Sequence, residues 1–220
     1  VTVTVAELVV ADPPEAWVAA GFAVDEGPGG PVCRVGSVRI RLAGPDAGRG
    51  IVGWALRGLP PGVPAEVDGV PTALCDEPPA AGAEHPNGVT HVDHVVLLSP
   101  HLDRTVAALA GLGLEPRRER DGDLGGRPVR QVFYRLGEVI LEVVGSPGES
   151  SDEPARLWGL THVVEDLDAV VALLGEAAGT PKDAVQPGRR ITTLRTRDLG
   201  MSVRTALITP HVPGAGQSAG

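Results

Sequence analysis

At 220 residues the chain is long enough for one large domain or two small ones with a hydrophobic core. Its formal net charge of −9 at pH 7 argues against a general nucleic-acid or anionic-membrane surface, since both need a net basic footprint. No apolar stretch reaches the length of a membrane span, and a cytoplasmic compartment is the expectation. Cys33 and Cys75 fit neither a disulfide framework nor a zinc-ligand spacing, and Cys33, in a β-rich run, reads as a buried thiol. Aromatic residues are only 3% of the chain, so the core must come from Val, Leu, Ile and Ala, with Trp17, Trp54 and Trp158 as expected fillers.

In chain order, Val3 to Val10 is a strand-like run, and Asp12-Pro13-Pro14-Glu15 supplies an N-cap with proline in the first turn. A short helix over Glu15 to Ala20 ends at Gly21. Cys33 to Gly44 reads as two β-rich runs joined by a two-residue loop that begins with Gly36. Arg34, Arg39 and Arg41 share one face of that hairpin. Residues 49–90 hold one good strand, Gly50 to Arg57, and then a Pro/Gly-rich stretch without helical periodicity. Val92 to Leu98 is the next strand, followed by a helix through Val106, Leu109 and Ala110 that stops at Gly111 and Gly113. A second hairpin spans Tyr134 to Gly145. Leu157 opens a further strand, Asp166 caps a helix with Val170, Val171, Leu173 and Leu174, and strands are expected near 191–196 and 201–208.

This order repeats. Cys33–Gly44 aligns without a gap on Tyr134–Gly145, with Arg, Gly, Val and Gly falling on their like. Each copy is a βαβββ unit, and one unit cannot bury both faces of its curved sheet, so units should pair. The expected fold class is α+β, with repeated βαβββ units pairing into open, cupped mixed sheets and the helices outside. Residues 1–75 give one full unit and a degenerate one whose helix is missing, 76–88 a linker, 89–210 a complete pair, and 211–220 a frayed tail.

Hairpin register adds side-chain detail. With Gly137-Glu138 as the loop, Phe133 pairs with Glu142 and Arg135 with Ile140, so Gln131, Phe133, Arg135, Ile140 and Glu142 share a face. A carboxylate in so apolar a strand costs several kcal/mol unless it finds a partner. A metal, His94 and Arg135 are the candidates.

The run His91-Val92-Asp93-His94-Val95-Val96-Leu97-Leu98-Ser99-Pro100-His101, with the later run Phe133 to Val144, resembles the opening strand and closing hairpin of a module of the vicinal-oxygen-chelate superfamily. The resemblance is most specific over 88–210. It implies paired units around a cavity, and, in metal-dependent members, ligands from the first and fourth strands of each unit. Carried over singly, those positions are His94, seven residues before His101, and Glu142. The partner unit offers Gly159 and Thr205, and the N-terminal unit Val5 and Arg41. His162 is a third candidate ligand if a bulge restores its register. Phe133, Arg135, Gln131 and Arg190 are the candidate substrate contacts, with Arg189 a further candidate anion clamp, and Glu142 the candidate catalytic group.

Two functions follow from the resemblance. One is isomerase, lyase or dioxygenase chemistry on a small oxygenated molecule, with a divalent Fe, Mn, Zn or Ni ion. The other is metal-free binding or sequestration of a small molecule, of bleomycin-resistance type. No Gly-rich phosphate loop is present, so no nucleotide cofactor is expected. The expected partners are a small-molecule ligand and a second copy in a homodimer, with neither nucleic acid nor membrane.

Overall fold

Two mixed sheets carry the chain, each built from units joined through their opening strands. The computed structural model describes residues 2–79 and 81–211, so nearly all of the expected tail lies outside it. The first unit comprises β1 (Thr4–Val10), α1 (Pro14–Ala19), β2 (Asp25–Gly27), β3 (Gly30–Val35) and β4 (Val38–Leu42). The second comprises β5 (Ile51–Arg57), β6 (Glu66–Val67) and β7 (Val70–Leu74), with no helix among them. The third comprises β8 (Val89–Leu98), α2 (Leu102–Gly111), β9 (Arg118–Leu124), β10 (Arg127–Leu136) and β11 (Val139–Gly145). The fourth comprises β12 (Arg156–Val164), α3 (Leu167–Leu174), β13 (Lys182–Asp183), β14 (Arg190–Thr193) and β15 (Arg204–Ile208).

The strand orders are β2-β3-β4-β1-β5-β7-β6 and β13-β14-β15-β12-β8-β11-β10-β9. In both sheets the opening strands of two units lie side by side and antiparallel, β1 with β5 and β8 with β12. Each opening strand also runs parallel to the last strand of its own unit. These are the paired, cupped α+β sheets expected from the repeat. Alternation sorts the side chains: Val139, Leu141 and Val143 of β11 are buried, while Ile140, Glu142 and Val144 between them are only partly so. One continuous apolar core joins the two sheets, from Leu8, Trp17 and Ile40 to Val95, Leu141 and Leu207.

The hairpins have the expected register, Phe133 opposite Glu142 and Arg135 opposite Ile140. Gly36 and Gly137 start their loops at φ of 58° and 68°, a backbone that disfavours any side chain at the first loop position. The two loops meet. The Ser37 amide and hydroxyl donate to Glu138 Oε1 at 2.7 and 2.8 Å. A Cβ on Gly137 would lie 2.8 Å from Thr4 Cγ2. Gly137→Ala is therefore expected to cost about 1–3 kcal/mol, read as a lower urea midpoint at unchanged slope.

Two details differ from the sequence expectation. Asp12 does not cap α1; its side chain turns inward, is fully buried, and accepts from Trp17 Nε1 and from the Ser202 amide. With two prolines behind it, the helix start has few free N–H groups to satisfy, and the carboxylate is left for longer-range donors. His101, given no role in the sequence reading, caps α2 through Nδ1. Within the segment 76–88, His85 and Asn87 are anchored on the first unit. His85 Nδ1 accepts from the Ala23 amide and its Nε2 lies 3.1 Å from the Arg34 carbonyl, while Asn87 donates to the Ala20 carbonyl.

Candidate active site

The cup of the second sheet gathers a chain of polar side chains around His94. Arg189, 6% exposed, reaches Asp93 Oδ1 at 2.6 Å and the Thr209 carbonyl at 2.7 Å. Asp93 Oδ2 in turn lies 2.8 Å from His94 Nδ1. On the other side, His94 Nε2 stands 3.9 Å from Glu142 Oε2. Glu142 Oε1 accepts from Gln131 Nε2, whose Oε1 accepts from Arg120 Nε at 2.8 Å. The Gln131 amide is thereby oriented: an arginine on its oxygen leaves its NH₂ for the carboxylate.

Electrostatics fix the histidine tautomer. Burial pushes the Asp93 carboxyl up, but hydrogen bonds from His94 and Arg189 outweigh it and hold the group below the usual carboxylate range. An ionised carboxylate only accepts, so His94 Nδ1 carries the proton that it donates. In the neutral ring, Nε2 then presents its lone pair to the cup, beside Glu142.

A bulge makes this possible. Across the β8–β12 pair, Thr161 stands opposite His94 but His162 stands opposite Val92, so Asp93 has no cross-strand mate. Strict alternation would have placed neighbouring Asp93 and His94 on opposite faces; the extra residue lets them meet. Asp93 was missed by sequence reasoning for this reason, since neither register nor spacing reveals a bulge; Arg120 was missed because β9, which sets it opposite Gln131, was not predicted.

The remaining candidates fall in different places. Gln131, Phe133 and Arg135 lie on the Glu142 face, with Gln131 and Phe133 half-buried and Arg135 exposed. Arg190 is on the surface and forks onto Asp168 at 2.8 and 3.1 Å; its neighbour Arg189 enters the site instead. His162 stands apart. Its ring is fully buried, with centroids 5.2 Å from Phe22 and 6.2 Å from Trp17, and neither nitrogen has a hydrogen-bond partner among the described residues. The bulge that would have brought His162 into the cup instead serves Asp93, and Thr161 takes the position opposite His94. Thr205, the other residue proposed for the partner unit, pairs with Leu160 and donates to the Val203 carbonyl.

Among the described residues no group of three or more His, Cys, Asp or Glu side chains could hold a metal ion. His94 Nε2 and the Glu142 carboxylate are the two protein donors available to a divalent ion in this cup.

The first sheet shows the same positions filled otherwise. Its register pairs Glu7 with Arg39 as β8 and β11 pair His94 with Ile140, so Glu7, not Val5, corresponds to His94. A register shift between Val5 and Glu7 displaces the count. Arg41, at the place of Glu142, donates to Glu7 at 2.9 Å, and Arg39 lies 3.4 Å from the same carboxylate. An ion pair closes that cup.

Beside His94 the second cup holds a cavity of about 260 Å³, bounded by His94, Val96, Thr161, Thr193, Trp158 and Arg204 among others. Trp158 is not a core filler: it is 39% exposed, with the Arg204 guanidinium 5.1 Å above its ring.

No protein-family model and no curated protein matches the chain. Solved structures do. A variant of 4-hydroxymandelate synthase from Streptomyces coelicolor has a TM-score of 0.64 at 14% identity, covering 99% of this chain and 94% of that one. A xylose isomerase-like TIM barrel/4-hydroxyphenylpyruvate dioxygenase fusion protein has a TM-score of 0.62 at 15% identity, covering 98% of this chain and 50% of that one. No helix of the described residues is long and apolar enough to cross a membrane. With paired opening strands, parallel closing strands and a cupped second sheet, the chain has the fold of the vicinal-oxygen-chelate superfamily.

Proposed function

We propose that the second cup binds a small oxygenated molecule and exchanges a proton with it, with His94 and Glu142 as the two proton-carrying groups. The observation that carries this reading is the pair itself. A cavity-lining histidine, fixed in one tautomer by a buried Arg189–Asp93 pair, holds its free nitrogen 3.9 Å from the Glu142 carboxylate. A C–H or O–H made acidic by an adjacent carbonyl can give its proton to Glu142 or to Nε2 and take one back from the same group after that group has exchanged with solvent. Arg120, acting through Gln131, keeps the carboxylate hydrogen-bonded and oriented; Asp93 stabilises the imidazolium that forms when Nε2 takes the proton.

Catalytic metal centres normally draw three protein ligands, and two converge in this cup, so the donor set does not fit a resident catalytic ion. Purification without a metal-chelating column, followed by elemental analysis, is expected to find divalent metal well below one per chain. A stoichiometry near one that disappears in His94→Ala would replace proton exchange with Lewis-acid chemistry.

The test of the reading is hydrogen exchange. The protein is incubated in D₂O with a panel of small 2-oxo and 2-hydroxy acids and their esters, and loss of the acidic C–H is followed by ¹H NMR. Catalysed exchange is expected for at least one of them, reduced on the order of a hundredfold or more in Glu142→Gln and His94→Gln with melting temperature retained. Exchange at the uncatalysed rate across the panel, or equal rates in wild type and both variants, would discard it.

A further inference from the structure

Arginines collect at the seam between the two sheets. A cleft of about 700 Å³ is lined by Arg49, Arg156, Arg195, Arg197, Arg204 and Trp158. One acidic side chain, Asp198, also lines it. All five arginines are exposed, and among the described residues neither Arg49, Arg156, Arg195 nor Arg197 makes a side-chain hydrogen bond or ion pair. Several other surface arginines are ion-paired: Arg34 with Asp25, Arg130 with Asp121 and Arg190 with Asp168. In a protein of formal charge −9, such a gathering is not a by-product of a basic surface.

The backbone holds the arginines in place. Arg49 precedes Gly50, whose amide donates to Ser202 Oγ at 2.7 Å, and the Ser202 amide is anchored on Asp12. Arg195 and Arg197 sit on a turn closed by the Asp198 amide on the Arg195 carbonyl, the Gly200 amide on the Arg197 carbonyl and the Met201 amide on the Thr196 carbonyl. Arg156 and Arg204 stand on β12 and β15, adjacent strands of the sheet. A pinned backbone fixes where the guanidinium groups emerge, and each matches a carboxylate or phosphoryl group with two parallel N–H donors.

The cleft is continuous with the reactive cup. Trp158, Leu194, Thr196 and Arg204 line both this cleft and the smaller cavity beside His94. We infer that the cleft binds a polyanionic handle on the substrate, phosphoryl or polycarboxylate, with Trp158 as its floor and the oxygenated end extending to His94. The assignment of the reactive end rests on the proton-exchange reading; the anion site does not.

Trp158 supplies the readout, because Trp17 and Trp54 are buried and only it is exposed. Tryptophan fluorescence and calorimetry are followed while inorganic triphosphate, citrate, acetate or a short single-stranded oligonucleotide is added. Triphosphate or citrate is expected to bind saturably, one per chain and more weakly at high salt, and the tighter of the two names the handle. Arg195→Glu with Arg197→Glu is expected to weaken binding about a hundredfold, and Arg49→Ala about tenfold, with melting temperatures unchanged. His94→Gln and Glu142→Gln, which abolish proton exchange on that reading, retain the anion affinity, so the two ideas fail separately. No saturable response to either anion, affinity indifferent to charge reversal, or a response to the oligonucleotide alone would overturn the site.

Discussion

Asp12→Ala is expected to destabilise the fold by about 3–5 kcal/mol, a large share of the stability of an ordinary domain. The Asp12 carboxylate is completely buried and accepts from Trp17 Nε1 at 3.2 Å, the Ser202 amide at 2.5 Å and the Val203 amide at 3.5 Å. The first donor belongs to α1 of the first unit, and the other two lead into β15 of the fourth. Alanine removes the common acceptor and leaves a buried indole N–H and a buried amide without water to replace it, which is the costly side of a lost hydrogen bond. Asp12→Asn keeps one acceptor oxygen but turns an NH₂ toward donors, and its cost is expected to fall between wild type and alanine. Urea unfolding followed by far-ultraviolet circular dichroism measures both. An alanine variant within experimental error of wild type would remove Asp12 as the bond between the two sheets.

His162 gives the second large effect, and it depends on pH. Burial, with smaller contributions from His85, His94 and His91, pushes its imidazole down to about 3 from an ordinary value of 6.5. The ring is neutral in the folded protein and takes a proton readily only when the chain unfolds. Between these two values the unfolded state binds more protons, so stability rises with pH and is lost on acidification. The slope approaches about 1.4 kcal/mol per pH unit inside that window, giving a loss of roughly 2 kcal/mol from pH 7 to pH 5. His162→Leu keeps the approximate volume, packs on Phe22 and Trp17, and removes two polar atoms that have no partner. It is expected to be at least as stable as wild type at pH 7 and to lose this part of the acid sensitivity. Parallel stability curves for the two proteins over pH 5 to 7 would show that His162 is not the group responsible.

The same residue separates what spacing can reveal from what it cannot. Composition and the repeat of Cys33–Gly44 in Tyr134–Gly145 were enough to give paired βαβββ units. Hairpin loops have few geometries, so the positions of Gly36 and Gly137 fixed which residues of each hairpin share a face. Glu142 was therefore legible as an acid on a half-buried face, a relation that follows from the two-residue period of a strand. His94 entered as its candidate partner only through the resemblance to a vicinal-oxygen-chelate module.

Bulges and distant partners do not follow from that period. The irregularities in β1–β5 and β8–β12 put Glu7 where counting put Val5, and Asp93 beside His94. Arg189 precedes β14 and Arg190 opens it, and the two guanidinium groups part there, one to Asp93 and the other out to Asp168. The arginine cleft draws on residues from the first sheet's loop and from β12, β15 and their turn, so only the seam between sheets brings them together. Local periodicity thus determined the units, the hairpin faces and the acid that needs a partner. The partners themselves were decided by tertiary structure, because one extra residue in a strand reverses every side chain beyond it and leaves no mark in the pattern of apolar and polar residues.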